Sequence, residues 1–294
     1  MNKEERDLAI TSFGYGTDVG VSRNRNEDSF CVLPDIGLWA VADGMGGYQS
    51  GNIASQMTVE KLADNVEKGL SLSESISNIH HDILNAADSD PEKKGMGSTV
   101  VAMKTNGLHY EIAWVGDSRA YLWNGHFLKQ LTRDHSYVQD LLDKGVIDEK
   151  DVIDHPQRHA ITQALGAEGL EKVDVDVIYG IFCKNEKILL CSDGLTGEVD
   201  DDQIASILSD ENSSQAAVDR LIDTANSNGG SDNITAVLIS APDDAKIKEN
   251  GEITAPINTE TLMIKNTKKS NPWAQWIVIL IMFIIIVILT FYLF

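Results

Sequence analysis

The chain has 294 residues, 43% of them hydrophobic, and its 45 acidic against 24 basic side chains give a formal net charge of -21. That length supports one large domain with a sizeable core, or two small ones. A surface this acidic repels nucleic-acid phosphates, so DNA and RNA are excluded as expected partners. The three cysteines, Cys31, Cys183 and Cys191, show neither CxxC nor His-paired spacing. That argues against a zinc site or disulfide framework and predicts free thiols in a reducing compartment.

In chain order, residues 1–10 are a polar extension and residues 11–241 read as continuous globular sequence. Candidate strands are SFCVLP, GLWAVAD, STVVAMK, LHYEIAWVG, SRAYLWN, KILLCSD and ITAVLIS, rich in β-branched and aromatic residues and bounded by Gly, Asp or Asn. Helical spacing runs through Val59, Leu62, Ala63 and Val66, then through Ile76, Ile79, Ile83, Leu84 and Ala87. Later helices are predicted around Gln203 to Leu208 and Ala216 to Ala225. Strands and helices both come in adjacent pairs, which predicts an α+β fold of antiparallel sheets covered by helices.

Residues 242–271 are polar without sustained periodicity and read as a tether. From Trp273 to Phe294 the sequence WAQWIVILIMFIIIVILTFYLF carries no charge. It is long enough to cross a bilayer core of about 30 Å, so residues 272–294 are predicted to be a transmembrane helix. Trp273, Trp276 and Tyr292 near its ends suit the aromatic belts. Lys265, Lys268 and Lys269 ahead of it predict a cytoplasmic globular part on the cell membrane by the positive-inside rule. The polar opening MNKEERDLAI has no signal-peptide pattern.

Carboxylates recur where apolar strands end. GLWAVAD ends in Asp43 before Gly44, IAWVGD in Asp117, and KILLCSD in Asp193 before Gly194; Asp232 directly precedes ITAVLIS. One such Asp is usually a turn or cap residue. Several brought together need cations to offset their repulsion, and all-oxygen ligation favours Mg²⁺ or Mn²⁺ over zinc. SRNRNEDSF adds Glu27 and Asp28 beside Arg23 and Arg25. A guanidinium beside a carboxylate–metal cluster is suited to hold a phosphate.

The ordered set RNRNED, VADGMGG, GSTVV, GDSRAY, LTRDHS, HP, ITQALG, CSDGL and SDNIT resembles the metal-dependent protein phosphatases of type 2C, in their bacterial form, from about Asp18 to Ile239. The resemblance implies a four-layer αββα sandwich, two antiparallel sheets with helix pairs outside. It also implies a site for two Mn²⁺ or Mg²⁺ ions and a third, weaker one. Asp43 would bridge the metals and the Gly44 carbonyl would join them. Asp193 and Asp232 would complete the first metal, Glu27 and Asp28 would orient water, and Asp117 would help hold the third metal. Arg23, rather than Arg25, matches the phosphate-binding arginine, and Asn233 would support Asp232. Two such cations activate a water for in-line attack on phosphorus with no covalent enzyme intermediate. The implied substrates are phosphoserine and phosphothreonine on proteins, and the implied partner is a cognate Ser/Thr kinase.

The chain departs from the family pattern at Met45 and Tyr48, positions where members often carry histidine, which leaves protonation of the leaving group to water. His135 and His155 lie near the segment the family uses as a flap, Ser136 to His159, and read as structural histidines. Gly95, Gly97 and Ser98 read as a turn. Two competing readings are a two-metal phosphodiesterase and a non-catalytic membrane scaffold on the same fold.

Overall fold

The computed structural model describes residues 10, 12–46, 50–152, 155–242, 245 and 257–258. The chain divides into a unit of Met1–Pro256 and a second of Ile257–Phe294. In the second unit the described element is a short strand, Ile257–Asn258, inside the stretch expected to be an unstructured tether. The expected transmembrane helix, 272–294, lies outside the described residues. Among the described residues no helix is long and apolar enough to cross a membrane.

In the first unit, one sheet is built from β1 (Phe13–Asp18), β7 (Arg119–Trp123), β8 (Leu128–Gln130), β10 (Lys187–Cys191) and β11 (Ile234–Ser240), in the order β1-β11-β10-β7-β8. The other contains β2 (Asp28–Leu33), β3 (Leu38–Met45), β5 (Val100–Asn106), β6 (His109–Val115) and β9 (Asp176–Ile181), in the order β9-β6-β5-β3-β2. The two-residue β4 (Gly97–Ser98) pairs with the end of β3. Every one of these pairings is antiparallel.

Helices α1 (Ser50–Glu67) and α2 (Leu72–Ser89) cover the second sheet. Helices α6 (Asp201–Asp210) and α7 (Ser214–Asn228) cover the first. Between them in sequence lie three short helices, α3 (Tyr137–Asp143), α4 (Glu149–Val152) and α5 (Asp193–Thr196). Capping boxes start α2, where Ser71 and Glu74 exchange hydrogen bonds, and α6, where Asp200 and Gln203 do so. Each satisfies helix-start N–H groups that would otherwise lack partners.

The alternation of side chains along each strand makes the layers. Trp39, Val41, Ile112 and Trp114 point to the inter-sheet core, where Leu122, Ile188, Leu190 and Val237 meet them. Their neighbours Leu38, Ala40, Ala113 and Val115 point outward onto Leu62, Ile76, Ile79 and Ile83 of the helices. On the first sheet Leu189, Cys191 and Leu238 pack against Ile204, Leu208 and Leu221. Central strands buried on both faces read as continuous apolar runs, which is how the sequence presents them. Cys31 and Cys191 are free, Cys191 is buried, and Cys31 and Cys183 are half-buried.

Candidate active site

The strand ends gather acids at one rim of the sandwich. Pairing of β2 with β3 sets Asp28 directly opposite Asp43, a like-charge pair that a sheet ordinarily disfavours. On the other sheet Cys191 of β10 stands opposite Ala236 of β11 and Arg119 of β7. Asp193 after β10, Asp232 before β11 and Asp117 before β7 therefore share one edge.

Backbone crowding fixes the β3 end. The Gly44 N–H donates to the Glu27 carbonyl at 3.1 Å. A Cβ at Gly44 would overlap the Gly51 and Glu27 carbonyls, and one at Gly51 would overlap the Glu27 carboxylate. The Asp43 carbonyl accepts from the Thr99 N–H at 2.8 Å, and the Asp43 N–H donates to Thr99 Oγ1 at 3.0 Å. Thr99 Oγ1 in turn meets Ser118 Oγ at 2.7 Å, beside Asp117.

Asn233 braces the opposite side. Its Oδ1 accepts from the Glu27 N–H at 2.7 Å, and its Nδ2 donates to the Val19 and Arg25 carbonyls at 2.8 Å each. Ser192, which the sequence reading missed, donates to Asp28 Oδ2 at 2.8 Å and accepts from the Thr235 N–H at 3.0 Å. Arg23 donates to Asp232 Oδ2 at 2.7 Å. Arg25 contributes its backbone carbonyl at Asn233.

The electrostatics are unfavourable without cations. Burial, reinforced by the charges of Asp193 and Asp232, pushes the Asp28 carboxyl up to about 7 against its bonds to Ser192 and Thr235. Burial together with the charges of Asp193 and Asp134 pushes Asp117 up to about 8. Asp43 is raised well above the carboxylate range by burial and then by Asp28, Asp193, Asp117 and Asp232. Asp193 goes the other way: burial opposes its charge, yet the neighbouring His159 and Asp43 side chains hold its carboxyl below the ordinary value.

Two oxygens, Asp28 Oδ1 and Asp193 Oδ1, are buried with no hydrogen-bond partner. Buried, unpaired carboxylate oxygens in an all-oxygen cluster fit hard divalent cations such as Mn²⁺ or Mg²⁺. Among the described residues, no three His, Cys, Asp or Glu side chains already close around one point. Arg23 takes one oxygen of Asp232.

The flap segment comprises α3, α4 and the turn after them. A cavity of about 580 Å³ separates it from the rim, lined by Asp117, Arg119, Val138, Glu149, His159 and Asp193 among others. His159, another residue the sequence reading missed, sets Nδ1 3.8 Å from Asp193 Oδ2. The nearby Asp193 carboxylate raises its pKa. Its Nε2 accepts from Arg158 at 2.8 Å, which directs the Nδ1 proton toward Asp193. His135 is structural: Nδ1 accepts from the Gly116 N–H at 3.2 Å while Nε2 faces Asp176 at 3.2 Å. His155 accepts locally from the Gln157 N–H at 3.2 Å. Met45 closes β3 opposite Gly97, and Tyr48 lies outside the described residues.

The protein phosphatase 2C pattern matches residues 19–140. The chain is 38% identical over 238 residues to the serine/threonine phosphatase Stp of Listeria monocytogenes, covering 76% of this chain and 94% of that one. This chain belongs to the protein phosphatase 2C family. Its structure is similar to that of Staphylococcus aureus Stp1, with a TM-score of 0.74 and 32% identity over 79% of this chain and 96% of that one. It is also similar to the catalytic domain of PstP in complex with two manganese ions, with a TM-score of 0.69 and 30% identity over 78% and 96% of the two chains. Family membership makes this chain a metal-dependent Ser/Thr protein phosphatase that uses Mn²⁺ or Mg²⁺.

Proposed function

We propose that this phosphatase holds its metals at the acid rim through Asp43, the Gly44 carbonyl, Asp193 and Asp232, with Glu27 and Asp28 orienting water and Asp117 serving a third ion. The observation that carries this assignment is the pair of buried, unpartnered oxygens of Asp28 and Asp193 beside the raised Asp43 and Asp117 carboxyls. When bound, such cations supply charge that activates a water and offsets the phosphoryl oxygens. Asp43 is central among the acids, and cations held there would offset the burial and repulsion that raise its carboxyl. Ser192 holds Asp28 in one rotamer through Oδ2 and leaves Oδ1 turned to the site. Arg23, half-exposed on the rim, can exchange Asp232 for a phosphoryl group with two parallel hydrogen bonds.

The proposal extends to the cell. The charge-free stretch from Trp273 to Phe294 supports a membrane anchor with the catalytic domain on the cytoplasmic side. An enzyme so placed would remove phosphate from phosphoserine and phosphothreonine of proteins near the membrane, opposing the Ser/Thr kinase that put it there. The net charge of -21 weighs against a phosphodiesterase acting on nucleic acid, and the presence of Asp43, Asp193 and Asp232, the three acids a catalytic centre would need, weighs against a non-catalytic scaffold.

The full chain with Mn²⁺ should dephosphorylate a phosphothreonine peptide, and EDTA should suppress the reaction. Asp193→Ala should lower the rate by roughly 10³-fold or more, the scale of losing a principal electrostatic group. A folded Asp193→Ala chain with undiminished activity would refute the ligand assignment. Membrane fractionation before and after deletion of 272–294 tests the anchor; equal membrane recovery of both chains would refute it.

A further inference from the structure

The loop Gly229-Gly230-Ser231-Asp232 joins α7 to β11, and several contacts that hold it lie outside the acid cluster. Glu198, two residues beyond α5, accepts from the Ser231 N–H at 3.0 Å through Oε1. Its backbone carbonyl accepts from Asn228 Nδ2 at 2.7 Å. Its carboxylate lies so close to Gly229 that a Cβ there would sit 2.8 Å from Oε2. The Gly230 carbonyl then accepts from the N–H groups of Val21 and Ser22 at 2.8 and 3.0 Å, immediately before Arg23.

Glu198 is equally tied to Asp193. The short helix α5 starts at Asp193. The Gly197 N–H donates to the Asp193 carbonyl at 2.7 Å, and the Glu198 N–H donates to Leu195 at 3.2 Å. One rigid turn therefore carries Asp193 at its start and Glu198 at its end, and Glu198 grips the loop that carries Asp232. The residue touches neither acid directly.

The geometry points to Glu198 as a positioning residue that fixes the separation of Asp193 and Asp232, and with it that of Arg23. The inference rests on the reading that Asp193 and Asp232 share a metal. An unbraced loop can still fold, but it samples positions from which Asp232 does not reach the ion. Residues beyond the ligands that hold them in place typically set metal affinity by about 10–100-fold.

The test is calorimetric titration of Mn²⁺ into the full chain, with the thermal midpoint recorded for each variant. Glu198→Ala should weaken Mn²⁺ binding roughly tenfold. Glu198→Gln, which keeps an oxygen acceptor at the same reach, should restore near wild-type affinity. Glu198→Asp, one methylene short of the Ser231 N–H, should behave like the alanine variant and serves in its place if that chain does not fold. A purely structural role would lower the thermal midpoint and leave Mn²⁺ affinity unchanged; that result, or a glutamine variant as weak as alanine, overturns the inference. Asp193→Ala separates the two failures. Unchanged binding in that variant overturns the shared-metal reading and the brace with it. Weakened binding there, with unchanged binding in Glu198→Ala, overturns the brace alone.

Discussion

The inter-sheet core and the acid rim are built on the same strands, a few residues apart, and they obey opposite rules. In β3, Trp39 and Val41 lie fully buried among Ile112, Ile188 and Val237, apolar against apolar. Two residues beyond Val41, Asp43 is set opposite Asp28 and within the fields of Asp193, Asp117 and Asp232. The core stabilises the fold by removing apolar surface from water. The rim gathers acids whose repulsion raises the carboxyls of Asp28, Asp43 and Asp117, and cations held there would relieve it. A fold strong in one region can hold the other in a conformation that it would not adopt alone.

That contrast can be broken from either side. The largest effect is expected at the rim, where Asp193→Ala removes activity by roughly 10³-fold with little loss of stability. At the core, Ile112→Ala should cost about 2–5 kcal/mol by leaving a cavity, yet keep the wild-type Mn²⁺ requirement in whatever fraction folds. Denaturant titration and metal-dependent peptide assays on both variants would read this. Equal damage to both properties in both variants would show the two regions to be one cooperative unit.

A smaller effect concerns pH. The folded chain holds the carboxyls of Asp28 near 7 and Asp117 near 8, above the ordinary carboxylate values of an unfolded chain. Between about pH 4 and 8 the folded state therefore binds more protons than the unfolded state. The contribution of these groups is full below the unfolded values and is lost as pH rises through the folded ones. The thermal midpoint in EDTA should fall across that window, and saturating Mn²⁺ should flatten the fall. A midpoint that rises with pH in EDTA would contradict the burial and repulsion described for the rim.

Much of the sandwich was legible because strands buried on both faces must be continuously apolar. Of the strands that escaped, β4 and β8 are only two and three residues long, and the two longer ones are interrupted by glycine. In β1, a Cβ at Gly14 would overlap the Ser214 backbone at the start of α7, and in β9 one at Gly180 would overlap the Tyr110 ring. In both strands glycine marks a close approach of neighbours rather than a break, and periodicity does not carry that information. The candidate site divides in the same way. The carboxylates announced themselves by ending apolar strands, but Ser192, Glu198 and His159 gave no local signal. Their partners are remote in sequence or distinguishable only by geometry, as with Ser192 and Asp28, 164 residues apart.

The central claim is that the rim is repulsive by construction and that divalent cations hold it. The direct measurement is the thermal midpoint of wild type and Asp43→Asn, each in EDTA and in excess Mn²⁺ at pH 8. Without metal the asparagine variant, relieved of one buried acid, should melt higher than wild type. With Mn²⁺ the order should reverse, because only the wild type gains a full set of ligands. The same order in both conditions would contradict the account.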